Sequence, residues 1–320
     1  MKYLVTIVAF IALLGLGFAT VHAPAFDWQA FRAALSINIA PAEPIETRAL
    51  FVGDIMMDRS IRIRAEREPN GYTTFFECAA PTFREYDTVV ANLEGSVTTF
   101  PSVSRYGLID TPESFRFTMS SDILPVLRDV GIDAVGVDNN HVYDFGRAGL
   151  DMTRQLVPAS GLVYFGDPAD ETYMSATLPG FHIVTFNEFI GTNDEALAKT
   201  LEQIARFAAA DEPVVVFAHW GNEYVPATER VKTWARQFID AGADAVIGHH
   251  PHVTQETEYY NGAFIAYSLG NFVFDQYFDA EVRKGGAVEL IIRDNAIVEA
   301  RLLPVTLDEK RRPCIGDVRI

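Results

Sequence analysis

Residues 244–252 read D-A-V-I-G-H-H-P-H, and three of the chain's seven histidines fall in the last four of these positions. The apolar run Ala245-Val246-Ile247 precedes a glycine and then the histidines. That is the pattern of a buried strand emptying into a loop, the place where open α/β sheets present groups to a ligand. Pro251 has a fixed φ and gives up no needed donor, so His250 and His252 sit two apart on a stiff turn. Imidazoles so placed can converge on one or two metal ions, and such clusters after a strand are uncommon by accident. The same arrangement recurs along the chain: Asp54, Glu94, Asn140 and His219 each closely follow a short apolar run. Alone, a strand-ending Asp is usually a turn residue and a lone His usually a hydrogen-bonded structural one. Together they set carboxylates, an amide and imidazoles at corresponding strand edges. Mixed hard oxygen and borderline nitrogen suits Mn, Fe or Zn better than Ca or Mg. One or two such divalent ions, bridged by a carboxylate where there are two, would activate a water and polarise a phosphoryl or carbonyl oxygen.

The elements that must hold these groups follow from the hydrophobic pattern. Strands alternate with helices through the first two-thirds of the chain. Helices are expected over residues 75–86 (broken or kinked at Pro81), 122–130 (capped by Ser121 or Asp122), 147–157, 194–210 and 228–241. Residues 175–178 and 181–186 alternate with turn residues and read as antiparallel strands. Beyond His252, Asn261-Gly262 marks a hairpin, and residues 271–275, 287–292 and 297–304 form a strand-rich tail. The expected class is α/β with mixed sheets flanked by helices, the tail building a second sheet stacked on the first.

With 320 residues, 49% of them hydrophobic, the chain can bury a large core without disulfides. A net charge of −17 with no basic stripe excludes nucleic acid as a partner class. Residues 1–23 carry Lys2, an uncharged apolar run and Val21-His22-Ala23, the pattern of a secretory signal peptide cut after Ala23; the alternative is an uncleaved membrane anchor. Either way the body is expected to be exported, to the periplasm or cell surface. Residues 24–47 read as a linker with an amphipathic stretch at 27–40, and residues 48–320 as the folded domain. Cys78 and Cys314 are too far apart in sequence to form a recognisable framework and are expected to stay unlinked.

In order, Gly53-Asp54-Ile55-Met56, Asn92-Leu93-Glu94-Gly95, Asn139-Asn140-His141, His219-Trp220-Gly221, Gly248-His249-His250-Pro251-His252 and Tyr267-Ser268-Leu269-Gly270-Asn271-Phe272 resemble the CapA-type proteins of poly-γ-glutamate capsule synthesis. The resemblance runs from about residue 48 to 274 and implies a fold similar to the calcineurin-like metallophosphatases, a four-layer sandwich of two sheets between helices. It also implies Asp54, Glu94, Asn140, His219, His250 and His252 as metal ligands and His141 as proton donor to a leaving group. Two positions depart from the metallophosphatase pattern: Met56 stands where a histidine ligand is usual, and Glu94 where a bridging aspartate is.

Neighbouring residues have two readings each. Asp58 either lends a replacement oxygen or pairs with Arg59. Arg59, with Arg62, either clamps an anionic substrate or is solvated. Trp220 either walls the site or fills the core. Asp138 and Asp144 are placed to orient His141, His249 and Asn139 to act behind the ligands, and Asn271 either to organise its loop or to join the site. His182 reads as structural. The leading expectation is a metal-dependent hydrolase or transferase acting on an anionic envelope polymer such as poly-γ-glutamate. The alternatives are a non-catalytic accessory that binds the polymer or its membrane-bound synthase, and a secreted phosphoesterase.

Overall fold

A computed structural model describes residues 46–104, 112–210 and 212–316. The predicted leader or anchor and the 27–40 stretch lie outside the described residues. From Pro44 onward the chain is a single unit.

Strand β1 (Glu46–Ile55) is the axis of the first sheet. It pairs in parallel with β2 (Thr88–Leu93), after which come β5 (Ala134–Gly136) and β6 (Val163–Phe165). A two-stranded parallel pair, β3 (Ser96–Val97) and β4 (Thr118–Met119), lies off this sheet. The second sheet has six strands in the order β11-β12-β10-β9-β8-β7: Thr257–Tyr260, Ala263–Ala266, Ala245–His249, Val214–His219, Phe181–Asn187 and Ser175–Leu178. Its four central strands are parallel, and the 175–178 and 181–187 pair is antiparallel, as the alternation predicts.

Alternation along β1 explains the layering. Ala49 and Phe51 face the second sheet and pack with Phe181, Phe217 and Ile247, while Leu50 and Val52 face outward onto a helical layer. That layer includes α1 (Arg59–Ala65), α2 (Ala80–Phe83), α3 (Ile123–Val130) and α4 (Gly146–Ala159). On the far side, α5 (Asn193–Ala208) and α6 (Glu229–Asp240) cover the second sheet through Ile204, Val231, Trp234 and Phe238. Strands buried on both faces read as continuous apolar runs. The predicted two-sheet sandwich between helices is the architecture observed.

Three expectations are corrected. The tail does not make the second sheet: β14 (Lys284–Arg293), β15 (Ala296–Leu307) and β16 (Pro313–Ile315) extend the first, with β14 antiparallel to β1 and β13 (Asn271–Val273) beside it. Only the 257–266 hairpin joins the second. The break expected at Pro81 within residues 75–86 is present but falls ahead of the proline, a 3-10 turn (Gly71–Phe76) being followed by α2, which takes Pro81 into its first turn. Cys78 and Cys314 form a disulfide with Cα atoms 5.1 Å apart, closing 236 residues of sequence separation and tying β16 to the turn before α2.

Candidate metal centre

The parallel strands end on one side, and each delivers a polar group there. Asp54 is the penultimate residue of β1, and Glu94 follows β2. Asn139, Asn140 and His141 follow β5; His219 ends β9, and His250 and His252 follow β10. Two close approaches let the loops converge. A Cβ on Gly53 would lie 2.0 Å from the Gly270 carbonyl oxygen, and one on Gly248 2.0 Å from that of Tyr267. Asp54 N donates to that Gly270 carbonyl at 2.9 Å, which seats β13 against the end of β1. His250 (φ 97°) and His252 (φ 58°) both hold left-handed backbone, a strain that non-glycine residues carry mostly at functional sites.

Asp54, Glu94 and His252 are buried, and one ligand atom from each lies within 4.8 Å of the others. Asn92 links the carboxylates: its Nδ2 donates to Asp54 Oδ1 at 2.8 Å and Glu94 Oε2 at 3.2 Å. Asn139 in turn holds Asn92, donating to its Oδ1 at 3.2 Å, and fixes His141 by accepting from its backbone N at 3.1 Å. His252 Nδ1 is 3.0 Å from Asn271 Oδ1 and 3.3 Å from Asp54 Oδ2, and its Nε2 is 3.6 Å from Glu94 Oε1. Donation from Nδ1 to Asn271 leaves Nε2 facing Glu94. His219 Nε2 pairs with Asn140 Oδ1 at 2.9 Å, and its ring centroid is 5.0 Å from that of His250.

The electrostatics fit a cation. Burial, then the charge of Asp54, pushes Glu94 well above the usual carboxylate range. Burial also acts to raise Asp54, but its contact with His252 and the fields of His249 and His252 outweigh this and leave it lowered. Burial pulls His252 down, yet Glu94 and Asp54 reverse the sign and push it up to about 9. His250, by burial and then the His252 charge, falls to about 3, and His219 lies well below its ordinary value from burial and its imidazole neighbours. Among the candidate ligands, four buried atoms lack any hydrogen-bond partner, Asp54 Oδ2, Glu94 Oε1, His219 Nδ1 and His250 Nδ1, and His249 Nδ1 behind them lacks one too. Unsatisfied buried polar atoms are costly. Two carboxylate oxygens without partners beside His252, with the lowered imidazoles of His219 and His250 close by, are a donor set that a divalent ion would satisfy.

The other predicted residues sort by contact. His141 Nδ1 is 2.8 Å from Asp144 Oδ2, which also accepts from Phe117 N at 2.7 Å; His141 Nε2 lies 3.8 Å from Glu94 Oε1. Asp138 does not orient His141; it accepts from Thr185 and Asn187 on the second sheet. Asp58 is no ligand and does not pair with Arg59. Its oxygens accept from Arg62 Nε, Ser104 Oγ and Thr118 N, so neither is left without a partner. Arg62 is accordingly structural. Arg59 is held by Asp275 against the rings of Phe117 and Phe274, so its charge is already neutralised. Met56 is buried with the same two phenylalanines, its Sδ accepting from Asp58 N at 3.1 Å. His249 lies between the sheets, its Nε2 3.3 Å from Val52 O. Trp220 fills the core, with Nε1 donating to Tyr267 O at 2.9 Å. His182 pairs with Thr177.

Sequence reasoning missed Asn92, Phe189 and Tyr224 as site residues. Asn92 was legible in principle, since a polar residue facing Asp54 in register at the end of a buried strand needs a partner. Phe189 packs on His250 (centroids 4.3 Å apart) and Tyr224 beside His252 (6.0 Å), walling the mouth.

Two stacked sheets between helix layers, with a carboxylate–imidazole–amide cluster at the ends of parallel strands, define a metallophosphatase-like sandwich. Within that class the chain belongs to the bacterial capsule synthesis protein family PGA_cap, whose model matches residues 48–276. It is 31% identical over 280 residues to the "PGA biosynthesis protein CapA" of Bacillus subtilis, covering 82% of this chain and 72% of that one. It is 28% identical over 297 residues to the "Capsule biosynthesis protein CapA" of Bacillus anthracis (85% and 71%). A hypothetical protein from Thermus thermophilus shares the fold, with a TM-score of 0.50 at 18% identity over 80% of this chain and 98% of that one.

Proposed function

We propose that this chain is an exported, metal-dependent hydrolase or transferase acting on poly-γ-glutamate or a related acidic envelope polymer, beside the membrane-bound synthase that makes it. The observation that carries this reading is the cluster of orphaned ligand atoms on Asp54, Glu94, His219 and His250. The names of the two Bacillus relatives support the substrate class. The Cys78–Cys314 disulfide supports export, because such bonds persist in oxidising compartments.

Asp54, Glu94 and His252 would hold one ion, and Asn140, His219 and His250 present the donors for a second. When bound, the metal supplies Lewis acidity to a carbonyl or phosphoryl oxygen and lowers the pKa of a water. The chain's own residues do the rest. Asp144 fixes the His141 ring so that Nε2 faces Glu94, the position from which it can hand a proton to a leaving nitrogen or oxygen. Phe117, packed 4.2 Å from His141, and Phe189 over His250 keep water from the flanks. Met56 favours a second reading, a polymer-binding accessory, because it adds no ligand beside Asp54.

The test is elemental analysis of the purified protein with His219→Ala and His250→Ala, alongside digestion of poly-γ-glutamate. Stoichiometric Mn, Fe or Zn lost from both variants, with metal-dependent shortening of the polymer, is the expected result. Bound metal without turnover selects the accessory reading. A folded wild type that takes up no metal overturns the enzyme reading and leaves the polymer-binding accessory.

A further inference from the structure

We infer that Arg116 anchors a substrate carboxylate beside His141, the role that Arg59 is unable to fill. This rests on the proposed polymer substrate and assigns how the site tells its charge.

Arg59 lies on one face of Phe117 with its guanidinium bound to Asp275, and His141 packs against the same ring. Arg116 is the residue immediately before Phe117. Its Nε donates to the Asp144 carbonyl at 3.0 Å, and its guanidinium carbon sits 4.9 Å over the Phe145 ring. Phe145 is itself stacked on Phe100, centroids 6.0 Å apart. These contacts fix the stem and plane of an exposed guanidinium without engaging its terminal nitrogens among the described residues. Among the described residues no carboxylate pairs with it. Other cations among the described residues are engaged: Arg62 with Asp58, Arg147 with Asp151, Arg230 with Glu188.

A planar fork held in place loses little freedom on binding a carboxylate and pairs with it bidentately. Through Asp144 the fork is tied to the residue that orients His141, so an anion bound there is registered against the proton donor. In poly-γ-glutamate every unit carries a free carboxylate next to the amide in the chain. On this assignment, a unit engaged at the metal leaves the carboxylate of a neighbouring unit for Arg116 to bind. This also resolves a conflict of sign: a chain of net charge −17 needs a local cation to admit a polyanion.

The experiment measures affinity of metal-loaded wild type, Arg116→Gln, Arg116→Lys and Arg147→Gln for poly-γ-glutamate of defined length and for the same polymer with its carboxylates amidated. The expected result is at least a tenfold loss for Arg116→Gln on the acidic polymer, a smaller loss for Arg116→Lys, and no change on the amidated polymer. Arg147→Gln removes the same charge nearby and should leave affinity within twofold. Equal losses on both polymers would make Arg116 merely structural and overturn the assignment, as would wild-type affinity in Arg116→Gln. If the wild type binds neither polymer, the polymer reading itself falls, and the carboxylate anchor falls with it.

Discussion

Asn92 sits where two carboxylates would otherwise repel across a buried gap, and its one amide nitrogen serves both. Replacing it with Leu keeps the volume and removes the donor. Groups behind metal ligands typically change affinity by about 10–100-fold when lost. Asn92→Leu should therefore weaken metal binding at least tenfold in a chelator competition assay, and unchanged affinity would reduce Asn92 to a packing residue. A second residue makes the pH argument. Glu289 is buried on β14; burial acts to raise it, but hydrogen bonds from Arg301 and Arg48 outweigh that and hold it below its ordinary value of 4.5. A lowered folded pKa means the stabilisation is complete above 4.5 and drains away as pH falls through the lower native value. Glu289→Gln should cost about 2 kcal/mol at pH 7, since both arginines are only partly exposed. Urea melts should show that gap closing below pH 4.5, and a gap constant with pH would refute the ion-pair account.

At the scale of elements, the site depends on how closely β13 approaches β1. Gly53→Ala would drive a methyl into the Gly270 carbonyl, a backbone atom with nowhere to go. The variant should lose about 3 kcal/mol. It should also lose metal, because β13 begins with Asn271, which orients His252. Wild-type melting and metal content together would show that the approach is slack. The same elements explain what was legible in the sequence. Strand ends carrying Asp54, Glu94, Asn140, His219, His250 and His252 were readable because an apolar run that stops at a ligand-type residue has few structural uses. Which sheet each tail strand joins was not, because β14 and the central strands of both sheets are all buried on two faces and carry the same apolar signature. Partner choice was equally hidden. Whether Asp58 meets Arg59 or Arg62 depends on the helical turn that brings Arg62, four residues on, back over Asp58, and Arg59 finds Asp275, 216 residues away.

At the scale of the molecule, the disulfide fastens the end of the first sheet to its helical layer. Cys314 lies on β16, which among the described residues is the sheet's outermost strand and pairs with β15 alone. An edge strand of three residues has little to hold it, and Arg312 beside it adds only partly exposed pairs to Asp308 and Glu77. The covalent link therefore supplies what the short edge lacks, and by restricting the unfolded chain it stabilises the fold by about 2–4 kcal/mol. Neither cysteine touches a candidate ligand. Cys314→Ser should consequently lower the melting temperature by several degrees while metal content and affinity stay at wild-type levels. The wild type made under reducing conditions should melt like the variant and recover on oxidation. Loss of metal in Cys314→Ser would mean that the edge and the strand-end cluster are mechanically coupled. Equal melting of oxidised and reduced protein would remove the disulfide as support for an oxidising compartment.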